Sequence, residues 1–243
     1  MYWIERNAKL DIDEQKIIQY LEEEKIEYKF FSKKQIIRNK IDLKYGDYIF
    51  GSIPSVFKSF DILKIDKPIP TNYPIELNEF YHRKIWSETL NDSLKNYRNN
   101  KNYFIKPKND YKSFTGFLLR DNIKQTFKFP KKYGGEYEID CSEEVNFISE
   151  FRCYIVNGKL EHIANYFGDE IDIEKYNYKE IIQSLLTNKM YHNTTLDIGI
   201  TNENILSIIE HNASFSIDSY DCPYDIYSKL LINGWKEIYL ENK

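Results

Sequence analysis

The sequence predicts an α+β protein in which a small Rossmann-like lobe precedes subdomains built on antiparallel sheets. Strand-like and helix-like runs alternate through the first hundred residues. Asn157-Gly158 separates two long β-prone segments, and a second hairpin pattern spans 194–211. The 243 residues suit one large domain or two small packed lobes.

In chain order, Tyr2 to Ile4 is a short apolar strand, and Asp13 is positioned to cap the helix that follows. Ile17, Ile18 and Leu21 fall at helical spacing in that helix, with Glu22 to Glu24 on its wet face. Strand patterns recur at Glu27 to Phe31 and Tyr48 to Phe50, completing a β-α-β rhythm that implies a partly parallel sheet. Pro68, Pro70 and Pro74 punctuate a connection, Ile75 to about Leu94 reads as helical, and Asn96 to Asn102 reads as a loop. The division is therefore expected near residue 100, giving units 1–100 and 101–243.

The second unit is richer in strands. Tyr103 to Lys106 begins one that stops at Pro107. Asn146 to Val156 and Lys159 to Phe167 flank Asn157-Gly158, a strong type I′ hairpin signature. Glu174 to Thr187 is expected to be helical, with Tyr178, Ile181, Ile182 and Leu185 as its apolar stripe. Thr194 to Ile200 pairs with Ile205 to His211, and Asp225 to Ile232 is a closing helix ended by Gly234.

Composition narrows the function. Charged residues make up 30% and hydrophobic ones 42%, as in globular proteins that bury a core. A net charge of -4 argues against a protein devoted to coating nucleic acid. Cys141, Cys153 and Cys222 are widely spaced and odd in number, which gives no disulfide framework, and the four histidines show no zinc spacing. Without an apolar run of membrane length or a signal segment, a reduced cytoplasmic protein is expected. The 21 tyrosines, alongside abundant Lys, Ile and Asn, are read as compositional bias.

Three clusters could carry chemistry. Asp197 lies within TTLDIGI, and Glu210 and Asn212 lie two apart in IIEHNAS, on one face of a strand. If the strands pair, Asp197 comes opposite them, and two carboxylates with an amide oxygen suit Mg²⁺. The alternative is that these acids face solvent or pair with lysines. Lys106 ends the strand FIKP, and KSFTG follows with Lys112 and Gly116; a strand-end lysine and a glycine turn can meet phosphate oxygens, although most lysines are solvated surface. In ISEFRCYIVNGKL, Glu150 and Arg152 share a face; Arg152 either clamps an anion bidentately or pairs at the surface with Glu150. Upstream, Cys141 to Glu144 forms an extended connector with paired acids.

Taken in order, these pieces resemble the ATP-grasp superfamily, and within it the small ATP-grasp-domain proteins of bacteria and phages. The resemblance runs from DYIFGS through YHRKIW, FIKP, KSFTG, SEEVNFISEFRCYIVNGKL, LDIGI and IIEHNAS, roughly residues 47 to 222. It implies an ATP-grasp fold, with 101–243 as the nucleotide-binding and catalytic domain behind a pre-ATP-grasp lobe. It implies ATP and Mg²⁺, and ligation of a carboxylate to an amine-type nucleophile through an acyl-phosphate. Lys106 matches a phosphate-contacting lysine, and Lys112 and Gly116 match the loop that closes over the phosphates. Glu143 falls where the connector holds adenine and ribose, with Glu144 as the alternative register. Arg152 matches the strand arginine facing the triphosphate or acyl-phosphate, Asp197, Glu210 and Asn212 match the magnesium ligands, and Arg83 is an added cleft cation. The pattern departs in its few glycines and in the short, bulky loop from Asn109 to Phe114. Three rivals stand beside the ligase: a nucleotide-binding regulator without turnover, a modifying enzyme acting on protein or nucleic acid, and an α+β interaction domain.

Overall fold

The computed structural model describes residues 1–6 and 9–242. Its first sheet is parallel, in the order β2-β1-β3, from β1 (Tyr2–Glu5), β2 (Tyr28–Phe31) and β3 (Tyr48–Phe50). Helices α1 (Ile12–Glu23) and α2 (Lys33–Ile37) make the crossovers, and α3 (Ile53–Leu63) follows β3. Asp11, not Asp13, caps α1: its side chain accepts from Glu14 N while Glu14 accepts from Asp11 N. The residue three before Glu14 can close this reciprocal box, whereas Asp13 already lies inside the first turn.

The 75–94 segment is not one helix. It contains a 3₁₀ turn (Ile75–Phe80), strand β4 (Ile85–Thr89) and the start of helix α4 (Leu90–Arg98). β4 pairs antiparallel with β7 (Glu138–Ser142), which also pairs with β5 (Phe104–Pro107), and β5 with β6 (Phe117–Leu118). The order is β4-β7-β5-β6, so residues 85–98 belong with the second unit and the expected boundary near 100 is too late. The connector expected at Cys141 to Glu144 is partly a strand: Cys141 and Ser142 end β7, and Glu143 and Glu144 follow it.

The third sheet has the order β11-β10-β8-β9, all antiparallel, from β8 (Phe147–Val156), β9 (Lys159–Gly168), β10 (Thr194–Thr201) and β11 (Leu206–Ala213). Asn157 and Gly158 turn the β8–β9 hairpin with φ of 51° and 73°, as the type I′ signature demands. The apolar face of this sheet, including Phe151, Leu196, Ile198 and Ile208, packs on Ile181, Ile182 and Leu185 of α6 (Tyr178–Leu185). Helix α5 (Ile123–Tyr133) accompanies the β4–β7 sheet.

Helix α7 (Tyr224–Glu241) returns the chain to the N-terminal lobe, where Trp235 Nε1 donates to Ile49 O at 2.9 Å. It runs through Gly234 rather than ending there. A Cβ at 234 would lie 2.2 Å from Ser214 Oγ and 2.5 Å from Ser214 O, so this glycine serves close packing. All three cysteines are buried and free. Among the described residues no helix is long and apolar enough to cross a membrane.

Candidate functional site

The two four-stranded sheets face each other across a cleft of about 380 Å³, lined in part by Tyr73, Lys106, Glu143, Glu150, Tyr166 and Glu210. Glu210 in its lining is the outer member of a buried cross-strand row. Arg152 on β8 lies opposite Asp197 on β10, and Asp197 lies opposite Glu210 on β11. Asp197 opposite Glu210 is the hairpin arrangement expected from the sequence; the β8–β10 pairing adds Arg152 beside them, which the sequence reading keeps in a separate cluster.

That row needs an irregularity. Asp197 pairs with Glu210 but Ile198 pairs with Ile208, which leaves Ile209 as the extra residue of a β-bulge. Ile208 stays in the apolar core, whereas Ile209 and Glu210 both line the cleft. Bulged carbonyls lose regular ladder partners and must find other donors. Arg83 supplies them: its Nη1 donates to Ile208 O at 2.6 Å and its Nη2 to Ile209 O at 3.2 Å. Arg83 lines the cleft, as expected, but its guanidinium is committed to these carbonyls, to Tyr81 O and to Ser207 Oγ.

Arg152 is 7% exposed and Asp197 2% exposed. Arg152 Nε and Nη2 each donate to a different Asp197 oxygen at 2.8 Å, a bidentate pair. This buried contact replaces the surface pairing of Arg152 with Glu150 and the lysine pairing of Asp197, whereas Glu210 does pair with a lysine, Lys106. Burial pushes the Asp197 carboxyl above the ordinary carboxylate range, against the opposing pull of Arg152. Asn212 Nδ2 donates to Asp197 Oδ2 at 3.2 Å, joining the third expected ligand to the group.

Lys106 is 6% exposed, and its Nζ lies 2.9 Å from Glu210 Oε2 and 4.1 Å from the centre of the Tyr73 ring. Burial pushes Glu210 up, but Lys106 and Arg152 more than offset this and hold its carboxyl below the usual value. Burial alone would lower the Lys106 ammonium; Glu210 and Tyr73 raise it above its ordinary value, so it stays charged.

The remaining expected residues frame the cleft. Glu143 accepts from Lys84 N at 2.9 Å and Glu144 accepts from Asn102 Nδ2 at 3.0 Å, and both residues line the cleft. Beyond Lys106 lies a second compartment of about 270 Å³ that includes Lys112, Gly116, Glu210 and Asn212. Lys112 is exposed, with φ of 52°. Gly116 is packed instead of loose, because a Cβ there would meet the Phe104 ring at 2.3 Å.

The tyrosines read as bias include three that contact the site cations. Tyr73 lies beneath Lys106, while Tyr166 and Tyr220 stack on each other at 4.8 Å beside the Arg152 guanidinium. A ring under a cation is attracted through its quadrupole. Tyr166 is the extra residue of a bulge in β9, between Asn165 opposite Phe151 and Phe167 opposite Glu150, so alternation along the strand does not reveal it.

Asp197, Glu210 and Asn212 offer two carboxylates and an amide on one face, a hard-oxygen donor set that fits Mg²⁺ when phosphate oxygens complete the shell. Among the described residues no three His, Cys, Asp or Glu side chains converge as a metal site by themselves. This donor set therefore calls for a bound polyanion to complete it.

Two antiparallel sheets gripping a cleft lined by a lysine–glutamate pair, with an arginine–aspartate pair behind it, define an ATP-grasp protein. A family model for an ATP-grasp domain, family 2 of its clade, matches residues 80–230. The chain belongs to that family. No curated protein matches significantly. Among solved structures, the fold is similar to a RimK domain protein ATP-grasp from Sphaerobacter thermophilus, with TM-score 0.58, 8% identity, and coverage of 97% of this chain and 100% of that one. It is also similar to D-alanine–D-alanine ligase from Bacillus anthracis, with TM-score 0.52, 14% identity and coverage of 99% and 98%. A third is the macrocyclase MdnC bound with precursor peptide MdnA from Microcystis aeruginosa, with TM-score 0.52, 12% identity and coverage of 96% and 98%. At these identities the likeness establishes the fold.

Proposed function

We propose that the protein is an ATP- and Mg²⁺-dependent ligase joining a carboxylate to an amine. The carboxylate attacks the γ-phosphorus of ATP to give an acyl-phosphate and ADP; the amine then forms the C–N bond as phosphate leaves. The observation that carries this reading is the pair Lys106–Glu210 in the lining of a cleft between the two sheets, continued behind Glu210 by the buried row Asp197–Arg152. Such an arrangement binds a polyanion and neutralises charge as it develops, which is the protein's main work in phosphoryl transfer.

Lys106 holds phosphate oxygens as a point charge, and Arg152, which orients Asp197 and donates through Nη1 to Asp218 O, adds a fixed positive charge behind the reacting end. Asp197, Glu210 and Asn212 would hold magnesium, which when bound neutralises phosphate charge. Lys112, exposed on the loop beside the second compartment, contacts the transferred group when the loop closes, with Gly116 anchoring that loop on Phe104. Glu143, or Glu144 beside it, receives the ribose. Closure over this cleft excludes water that would hydrolyse the acyl-phosphate.

A second reading, nucleotide binding without turnover, is favoured by one contact: both Asp197 oxygens are taken by Arg152. Two measurements separate the readings. Saturating ATP with Mg²⁺ at a hundred times Kd stabilises the fold by about 2.7 kcal/mol over Mg²⁺ alone, a rise of roughly 5–10 °C for a chain of this size. Phosphate release on adding carboxylate and amine pairs then marks the ligase. A rise in melting temperature without release under any pair favours the regulator, and no rise at all rejects both.

A further inference from the structure

Thr195 lies two residues before Asp197 on the same face of β10, with Tyr154 of β8 and Asn212 of β11 as its cross-strand neighbours. It is fully buried, and its Oγ1 has no hydrogen-bond partner among the described residues. A buried hydroxyl without a partner is costly, so its retention calls for a reason.

The polar groups around it are committed elsewhere. Tyr154 Oη donates to Asp218 O at 2.9 Å, and Ser214 Oγ, two residues beyond Asn212, donates to Asn193 O at 2.9 Å. Both Asp197 oxygens are taken by Arg152. There remains Asn212, directly opposite, whose amide nitrogen donates to Asp197 Oδ2 at 3.2 Å. Residues directly opposed in an antiparallel pair carry their Cβ atoms about 4.5–5.5 Å apart, which lets an amide and a hydroxyl meet.

That amide faces the wrong way for a metal. A carboxylate can only accept, so an amide in direct contact with Asp197 must meet it through nitrogen. Mg²⁺ reverses the requirement, because it takes oxygen ligands. For Asp197 and Asn212 to share the ion, Asn212 has to present Oδ1 on the Asp197 side, which carries its NH₂ group to the other side. There, straight across the strand pair, stands Thr195, whereas Asp197 lies on the diagonal. A half-turn about the last side-chain torsion exchanges the two ends of the amide and leaves the strand in place.

We propose that Thr195 is a positioning residue for magnesium: its hydroxyl oxygen accepts from the Asn212 NH₂ group and holds Oδ1 toward the ion. The inference rests on the reading of Asp197, Glu210 and Asn212 as magnesium ligands. The amide nitrogen then has an acceptor in either orientation, Asp197 in one and Thr195 in the other. Thr195 thereby stands to Asn212 as an outer hydrogen-bond partner stands to a metal ligand, fixing which atom it offers.

The test needs no turnover. Binding of a non-hydrolysable ATP analogue to the full chain is measured in EDTA and in Mg²⁺, beside the melting temperature of the protein alone. Thr195→Val keeps the shape and removes the hydroxyl. It should leave the affinity in EDTA and the melting temperature undiminished, yet reduce the Mg²⁺ enhancement by about tenfold or more. Thr195→Ala should show the same loss of enhancement. Thr195→Ser keeps the hydroxyl and deletes a buried methyl, so the melting temperature should fall while the enhancement stays. Asn212→Ala should lose the enhancement as well, and adding Thr195→Val to it should cost nothing more. Full enhancement in Thr195→Val, an equal loss in Thr195→Ser, or a further loss in the double variant overturns the proposal. A parent chain without Mg²⁺ enhancement overturns the magnesium reading and this proposal with it. A parent enhanced by Mg²⁺ beside an unaffected Thr195→Val overturns this proposal alone.

Discussion

Replacing Lys106 with methionine and Glu210 with glutamine should move metal-free nucleotide affinity in opposite directions. In the empty site the two side chains neutralise each other across 2.9 Å, an attraction of about 6 kcal/mol at an effective dielectric constant of about 20. Most of that is offset by the desolvation of both ions, because Lys106 is almost fully buried. A phosphate must still displace Glu210 from the ammonium. The charge-assisted bond it gains, worth roughly 1.5–3 kcal/mol, is therefore partly offset by breaking the existing pair. Lys106→Met should weaken binding by about 1–2 kcal/mol, a factor of about 5–30. Glu210→Gln frees the ammonium and removes a negative charge facing the phosphates, so affinity in EDTA should rise, while the enhancement by Mg²⁺ should disappear. Displacement of a fluorescent ADP analogue, with EDTA and then with Mg²⁺, reads both effects. If Glu210→Gln weakened binding in EDTA as much as Lys106→Met, the pair would not be a gate to the phosphates and the reasoning would fail.

Arg152→Lys should destabilise the fold by about 1–3 kcal/mol in urea unfolding, since one ammonium cannot reproduce two parallel bonds to Asp197; an unchanged midpoint would contradict the buried pair. Gly234→Ala should lower the melting temperature although alanine is the better helix former. The clash with Ser214 costs about 1–3 kcal/mol against a propensity gain of roughly 1, and a higher melting temperature would show that the contact yields. Asp13 has a folded-state pKa raised by burial, so the folded state binds the extra proton and stability falls as pH rises from the ordinary aspartate value through the raised one. That deficit persists at neutral pH, so Asp13→Asn should raise the melting temperature at pH 7 and flatten its pH dependence in that window; a lower melting temperature at pH 7 would refute the sign.

The site is more legible in the sequence than its surroundings. Asp197, Glu210 and Asn212 lie on strands joined by a hairpin turn that the sequence marks, whereas Arg152 meets Asp197 through the β8–β10 pairing, which no turn announces. The lobe boundary escapes a local reading because β4 depends on partners from Glu138 to Ser142, about fifty residues away, and Ile85 to Leu94 contains nothing locally that forbids a helix. Asp11 and Asp13 are equally good caps in isolation; only the reciprocal contact with Glu14 separates them. Tyr73 and Tyr220 reach the site cations from a connection and a loop, and no periodic pattern in the sequence ties such segments to a strand face. Gly234 shows its identity but not its neighbour, Ser214, so in sequence a glycine of close packing reads as a helix end.

The extra residue in β11 means that the strand is written in two phases. Up to Ile208 the apolar residues keep time with the core; from Glu210 onward the polar residues keep time with the cleft, and Ile209 is the skipped beat. A reader who scores the strand by strict alternation will align one half and lose the other. No single substitution can create such a change of phase, because it requires a change in chain length. In this chain, the break of rhythm immediately before Glu210 therefore marks where the strand passes from the core to the cleft.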